Sequence, residues 1–379
     1  MSVYNYRRFD KLLKLCEIFN QYFCNVAKDI GPYDTTTEND TISSIMRTFE
    51  SHTSVKLSKE NCPQTNEFNF CKIEEKDVKS FLSKINPKKA VGFDRIPSKL
   101  LKIASSELSG PLNYLINCSI NASIFPKSLK YAEVATLFKS KDVFNKENYR
   151  PLSIIPSLSK IYERMLYDQM FAFFENIFND MLAAYRPRYG CPPVLLKLIE
   201  DWKNALDKKE NIGAILMDLS KAFDCIPHIL MICKLKCYGY SDESCMLIKS
   251  YLEERRQRVK IGDCRSNWDH LYKGVPQGSI LGPLLFNIFI HDLFYYVGKS
   301  LYNFADDNTL SHTDKDMYML SRNLCNDAEK TLIWFQNNCM KANHSKFQAF
   351  VVESQNINDN ITLSLSGTDV PITESVKNQ

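Results

Sequence analysis

Gly213-Ala214-Ile215-Leu216-Met217-Asp218 is an apolar run that ends on a carboxylate. A strand this apolar is normally covered on both faces, so an aspartate at its end sits at the rim of the core and faces a cleft. Farther along, Tyr302-Asn303-Phe304-Ala305-Asp306-Asp307 repeats the arrangement. The next residues, Asn308-Thr309-Leu310, can return as a strand, which places both aspartates at a hairpin tip. An isolated Asp-Asp pair is ordinarily a solvated turn, and the apolar flanks are what set this one apart. Three carboxylates at the ends of two buried strands are oxygen-only ligands, which favour Mg²⁺ or Mn²⁺ over zinc. Two such ions about 3.5 to 4 Å apart clamp the attacking and leaving oxygens of an in-line phosphoryl displacement. That chemistry is nucleotidyl transfer.

Between the two carboxylate clusters runs Gly274-Val275-Pro276-Gln277-Gly278-Ser279, followed by Ile280-Leu281-Gly282-Pro283-Leu284-Leu285. The first aspartate opens Asp218-Leu219-Ser220-Lys221-Ala222-Phe223-Asp224. Upstream lie Asn86-Pro87-Lys88-Lys89-Ala90-Val91-Gly92-Phe93-Asp94 and Asn148-Tyr149-Arg150-Pro151-Leu152-Ser153, and downstream a segment from Trp334 through Asn343 to Lys346. In this order the blocks resemble reverse transcriptases, specifically those of non-LTR, LINE-like retrotransposons of the jockey/CR1 type. The resemblance covers most of the chain. It implies an α+β right-hand polymerase fold, with helical fingers and a palm of antiparallel sheet backed by helices.

The same resemblance assigns roles. Asp218 and Asp306 bind both cations, Leu219 adds a backbone carbonyl to the nucleotide-bound ion, and Asp307 completes or tunes the site. Phe223 matches an aromatic gate that packs beneath the incoming sugar and collides with a 2′-hydroxyl; without the flanking motif it reads as a core aromatic. Gln277 is expected near the sugar and base of the nucleotide. Ser279 would cap the helix that follows, and glycines at 274 and 278 would permit close approach to the backbone. Arg150, with Lys139 or Lys141, is the candidate for the β and γ phosphates, because a guanidinium fork matches phosphate oxygens. Lys346 is either a proton donor to departing pyrophosphate or an ordinary lysine at a strand start. Family members carry Ser or Thr where Gly190-Cys191 stands here.

Composition agrees with an enzyme domain. The 379 residues, 44% hydrophobic and 12% aromatic, can bury a large core in two or more subdomains. Residues 71–160 hold 16 Lys+Arg against 8 Asp+Glu within a chain of net charge +4, a bias suited to gripping a phosphate backbone. Thirteen scattered cysteines show no paired framework and read as reduced thiols of an intracellular protein. Cys233 and Cys237 share a helix face, but no second pair follows at zinc-ligand spacing. The segment from Ile280 to Val297 contains Asn287, His291 and Asp292, so it reads as an amphipathic core helix and not a membrane span.

Residues 1–75 read as a connector, 76–210 as helical fingers with a short strand at Glu133 to Lys139, and 211–352 as palm. Leu320, Leu324, Ala328, Leu332 and Phe335 mark the helix face that packs behind its sheet. Residues 353–379 read as a strand segment where the family's primer grip would begin, with the thumb absent. The expected activity is RNA-directed DNA polymerisation with two Mg²⁺ ions (Mn²⁺ as substitute), an RNA template, a DNA primer and dNTPs. The family implies a nuclear and cytoplasmic ribonucleoprotein setting. The alternative is an inert retrotransposon remnant that binds RNA; a maturase-like splicing cofactor predicts a basic helical domain after the palm, which this sequence is not expected to encode.

Overall fold

The apolar run does form a strand, and helices cover both of its faces. The computed structural model describes residues 3–28, 30, 41–62, 67–352, 363–365 and 368–370. Its strands are β1 (Tyr131–Phe138), β2 (Tyr149–Ile154), β3 (Asn211–Ser220), β4 (Arg255–Ile261), β5 (Cys264–Arg265), β6 (Asp269–Leu271), β7 (Leu301–Phe304), β8 (Asp307–Asp314), β9 (Lys341–Ala342) and β10 (Gln348–Val352). One sheet has the order β2-β1-β4-β5 with β6 also on β4, and the other β10-β3-β8-β7 with β9 also on β3. All pairings are antiparallel except β1 with β4. Two short strands, Leu363–Leu365 and Thr368–Val370, pair with each other in the region expected as a strand segment.

The chain forms two compact units that interleave along the sequence: residues 1–50, 62–176 and 223–286 make the first, and 51–61, 177–222 and 287–379 the second. The second holds the β3 sheet. A Cβ on Gly213 would touch Leu324 at 3.1 Å and Leu320 at 3.4 Å, so the helix Met317–Asn337 lies against that face. Its buried residues include Leu320, Leu324, Ala328, Trp334 and Phe335, close to the stripe expected. Neighbouring Ala214 points to the other face by strand alternation. There its register partner Phe350 packs edge-on against Trp202 of helix Cys191–Asp207, with ring centroids 5.0 Å apart. That helix therefore belongs with the carboxylate-bearing sheet, on the far side of residue 210 from where the palm was expected to begin.

The amphipathic segment after Ile280 becomes two helices, Leu281–Ile290 and Leu293–Val297. Asn287, His291 and Asp292 are buried, and each makes at least one hydrogen bond. Asn287 donates to Ala184 O at 2.7 Å, His291 Nε2 accepts from Asn179 N at 3.1 Å, and Asp292 accepts from Trp334 Nε1 at 2.9 Å. Among the described residues no helix is long and apolar enough to cross a membrane. All thirteen cysteines are free thiols.

In the first unit the helix Val3–Asn25 is more than a connector. Its Cys16, Phe19 and Phe23 form a core cluster with Val134 of β1, Val259 of β4 and Cys264 of β5. Asn20 Nδ2 donates to Asn267 O at 3.1 Å, and Glu17 accepts from Asn267 N at 2.8 Å. Burial of each phenylalanine contributes about 1.5 to 3 kcal/mol, so this helix is part of the sheet's support.

Candidate active site

In the second unit, β3 and β8 pair so that Asp218 stands directly opposite Asp307. β7 and β8 close with Phe304 opposite Asp307, which leaves Ala305 and Asp306 as a two-residue turn. Ala305 adopts φ +58°, a left-handed conformation that a Cβ disfavours. Two buried asparagines hold the turn in that shape. Asn303 Nδ2 donates to Ala305 O at 2.9 Å and to Asn308 Oδ1 at 3.0 Å, while Asn308 Nδ2 donates to Asp306 O at 3.3 Å. Leu219 N also donates to Asp306 O, at 3.3 Å. Asp218, Leu219, Asp306 and Asp307 are thus brought to one end of one sheet.

The carboxylates do not converge further. Among the described residues no group of three His, Cys, Asp or Glu side chains is gathered so as to hold a metal ion. Asp307 is exposed and Asp306 half-buried. The Asp218 carboxylate, 16% exposed, accepts on Oδ2 from Lys346 Nζ at 2.9 Å and from Asn343 Nδ2 at 3.1 Å. The main chain reinforces this: Asn343 N donates to Asp218 O at 2.9 Å, and β9 pairs Ala342 with Leu219. Lys346 is therefore placed on the carboxylate and not merely near it. Hard oxygen donors fit a divalent cation such as Mg²⁺; in this arrangement an ammonium neutralises Asp218.

The remaining candidates lie in the first unit. Phe223, half-buried, stacks on Phe286 with centroids 4.8 Å apart and planes 14° from parallel. Its carbonyl accepts from Val275 N at 2.9 Å, and Gly274 N donates to Ile226 O at 2.8 Å. Gly274 has φ +79°, and a Cβ there would lie 2.7 Å from backbone atoms of Phe223 and Asp224. Gly278 has φ +113°, and its Cβ would lie 2.7 Å from Ser153 O. What both glycines let approach is the chain's own backbone. Ser279 caps the next helix, accepting from Gly282 N at 2.9 Å.

Arg150 is exposed on β2 opposite Leu137 of β1, and Lys139 follows two positions after Leu137, which puts both cations on one face of the hairpin end. Lys139 N donates to Asn148 O at 2.9 Å, extending the ladder. Lys141 lies beyond it in the connecting loop at φ +74°.

Three residues with a part in this geometry escaped the sequence reading. Asp224, quoted in its motif without a role, accepts from Gln277 Nε2 on both carboxylate oxygens at 3.0 Å. Asn343 clamps Asp218 as described. Glu163, fully buried, accepts from Ile280 N at 2.6 Å and from Tyr251 OH at 3.3 Å. Burial pushes its carboxyl up, against the opposing pull of Arg255 and of backbone N–H groups at 280 and 281. The available signal for Glu163 was a carboxylate on the apolar face of the helix Ser157–Phe174.

The family signature described as reverse transcriptase (RNA-dependent DNA polymerase) matches residues 139–368, more than half of the chain. The chain belongs to the reverse transcriptase family. Its fold is therefore the right-hand polymerase fold, and the two antiparallel-rich sheets with their helices are this chain's version of it. It is 32% identical over 220 residues to the RNA-directed DNA polymerase from mobile element jockey of Drosophila funebris, covering 57% of this chain and 24% of that protein. It is similar to the probable RNA-directed DNA polymerase from transposon BS of Drosophila melanogaster, 29% identical over 272 residues, or 69% of this chain and 29% of the relative. A third relative, the probable polymerase from transposon X-element of the same fly, is 30% identical over 241 residues, 60% of this chain and 26% of its own. The chain thus spans about a quarter of the length of the curated relatives it matches.

Proposed function

We propose that this chain is the catalytic core of a non-LTR retrotransposon reverse transcriptase, adding deoxynucleotides to a primer 3′ end on an RNA template. The observation that carries the reading is the register that sets Asp218 opposite Asp307, with Asp306 tied by its carbonyl to Leu219. Two Mg²⁺ ions, or Mn²⁺ in their place, would supply the charge that stabilises phosphoryl transfer. Asp218 and Asp306 would hold both ions, with the Leu219 carbonyl and Asp307 completing the set. Asn343 orients the Asp218 carboxylate. Lys346, already at that carboxylate, is where a proton could pass to departing pyrophosphate. Arg150 and Lys139, with Lys141 beyond them, would take the triphosphate; Phe223 and Gln277 would meet its sugar.

Residues 76–210 and 211–352 are proposed to work as fingers and palm, except that the helix Cys191–Asp207 goes with the palm sheet, with RNA, DNA primer and dNTPs as partners in a nuclear and cytoplasmic ribonucleoprotein. The test is primer extension by the full chain on an RNA template with Mg²⁺, resolved by product length. Asp218→Asn and Asp306→Asn should each lower extension about 10³-fold or more while leaving the melting temperature near that of the parent. Extension retained by either folded variant overturns the assignment. Binding of primer–template without any extension by the parent chain would favour an inert RNA-binding remnant.

A further inference from the structure

We propose that Glu163 is a positioning residue: by holding the start of the helix Leu281–Ile290, it sets where the aromatic wall behind the incoming sugar stands. The inference rests on the polymerase reading above. Glu163 lies on the helix Ser157–Phe174 and is fully buried. Its Oε2 accepts from Ile280 N at 2.6 Å, and its Oε1 accepts from Tyr251 OH and Ser159 Oγ, each at 3.3 Å. The backbone N–H of Leu281 adds its attraction to the carboxylate. The first N–H groups of a helix have no partner within it, and the helix dipole favours a negative charge at that end. Ser279 Oγ takes the next of them, accepting from Gly282 N at 2.9 Å. Carboxylate and hydroxyl together leave the helix one place to begin.

Stability alone does not call for a charge here. Burying a carboxylate costs desolvation that a nearby cation only partly offsets, and apolar replacement of a whole buried ion pair is often neutral to a fold. The opposing charge is Arg255, 2% exposed, which donates from Nη1 to Tyr251 O at 3.0 Å and lies over the Tyr251 ring at 4.7 Å. Tyr251 thus touches both partners, and carboxylate, guanidinium and phenol form one unit against Ile280. What that unit adds is direction.

The direction reaches the sugar side through Phe286. This residue lies five positions beyond Leu281 on the same helix, is fully buried, and stacks on Phe223 with centroids 4.8 Å apart and planes 14° from parallel. A stack this close to parallel follows any turn or slide of the helix that carries it, and Phe223 is the side chain proposed to exclude a 2′-hydroxyl. The helix of Glu163 in turn starts just after β2, the strand of Arg150. Glu163 is therefore the strut between the strand proposed for the triphosphate and the wall proposed for the sugar. Sugar selection depends on a residue that touches no nucleotide.

The experiment measures kcat/KM for a dNTP and the matching rNTP in single-nucleotide incorporation by the full chain on an RNA template. Glu163→Met fills the space without offering Ile280 N an acceptor, and it should raise the rNTP-to-dNTP ratio about fivefold with Phe223 intact. Glu163→Gln keeps an oxygen for Ile280 N, and the Tyr251 hydroxyl can turn from donor to acceptor for its amide, so the ratio should stay within about twofold of the parent's. Both variants leave Arg255 without its counter-charge and should melt lower, yet only the methionine should shift the ratio. A merely structural role would weaken both sugars alike. Phe286→Leu should reproduce the shift, and adding Glu163→Met to it should contribute little more. Should Glu163→Met not fold, Tyr251→Phe takes its place: the charge stays, Oε1 loses a donor, and the ratio should rise in the same direction. If Phe223→Val moves the ratio and neither Glu163→Met nor Tyr251→Phe does, this inference falls and the polymerase reading stands. If the parent extends nothing, the polymerase reading falls and takes the inference with it.

Discussion

Phe223 shows how one side chain can serve packing and selection together. One face of its ring lies on Phe286, and the residue as a whole stays half-buried. Shortening it should have two separable effects. Phe223→Val is expected to raise the ratio of kcat/KM for a ribonucleotide over its deoxynucleotide about tenfold or more, because the space that excluded a 2′-hydroxyl opens. It should also lower the melting temperature through the lost stack, by less than the roughly 3 to 5 kcal/mol typical of removing a fully buried aromatic. A lower melting temperature with an unchanged sugar ratio would make Phe223 a core residue alone. The same distinction applies at Asp218, where Lys346 and Asn343 fix the carboxylate's direction and its neighbours across the strand fix its position.

At the scale of elements, the β1–β4 pairing in the first unit depends on an ion cluster. Glu133 of β1, 4% exposed, accepts from Arg258 Nη2 at 2.6 Å and Arg265 Nε at 3.0 Å, with Lys260 Nζ at 3.6 Å. Burial by itself raises this carboxyl, but the bonds from Arg258 and Arg265 and the nearby cationic charges outweigh it, and the group is held below its ordinary 4.5. A carboxyl with a depressed folded-state pKa stabilises the fold fully above its unfolded value and loses that contribution as pH falls through the lower folded one. Melting temperature should therefore decline on acidification below about pH 4.5. Glu133→Gln should flatten that decline and cost roughly 1 to 3 kcal/mol at neutral pH, discounted because the three cations keep contact with water. An acid limb identical to the parent's would remove Glu133 as its source. The helix Val3–Asn25 supports the same strands through Phe19 and Phe23. Replacing both by alanine should expose Val134 and Val259, lower the melting temperature by several degrees and increase binding of a hydrophobic dye. An unchanged melt would mean the helix is dispensable to the sheet.

For the whole molecule, charge is the property that divides the two units. Of the chain's net +4, the first unit carries +6 and the second −2. An excess of cations in one unit, concentrated in residues 71–160 with the rest of that unit net negative, suits a sequence-independent grip on phosphates. Primer–template affinity of the full chain should fall about tenfold or more between 50 and 200 mM salt if two or more phosphates are neutralised. Exposed Lys88 and Lys89 are the first substitutions to make. Each alanine should reduce the slope of log affinity against log salt by roughly 0.9 if it removes a phosphate contact. A slope untouched by both would move the grip elsewhere in the first unit.

The sequence by itself determined the strand β3 with its terminal aspartate, the hairpin that carries Asp306 and Asp307, the apolar stripe of the helix behind the sheet, and the family. All of these are written in local periodicity and short motifs, because strand alternation, helical spacing and turn chemistry act over a few residues. Tertiary structure alone decided the rest. The bond between Asp224 and Gln277 spans 53 positions, that between Lys346 and Asp218 spans 128, and Glu163 reaches Ile280 across 117. Nothing local marks such partners, since a buried polar group can be satisfied by any complementary atom the fold brings within about 3 Å. The placement of helices Val3–Asn25 and Cys191–Asp207 followed from the same cause. An apolar helix face states that it will be covered, and only the packed chain decides by which sheet.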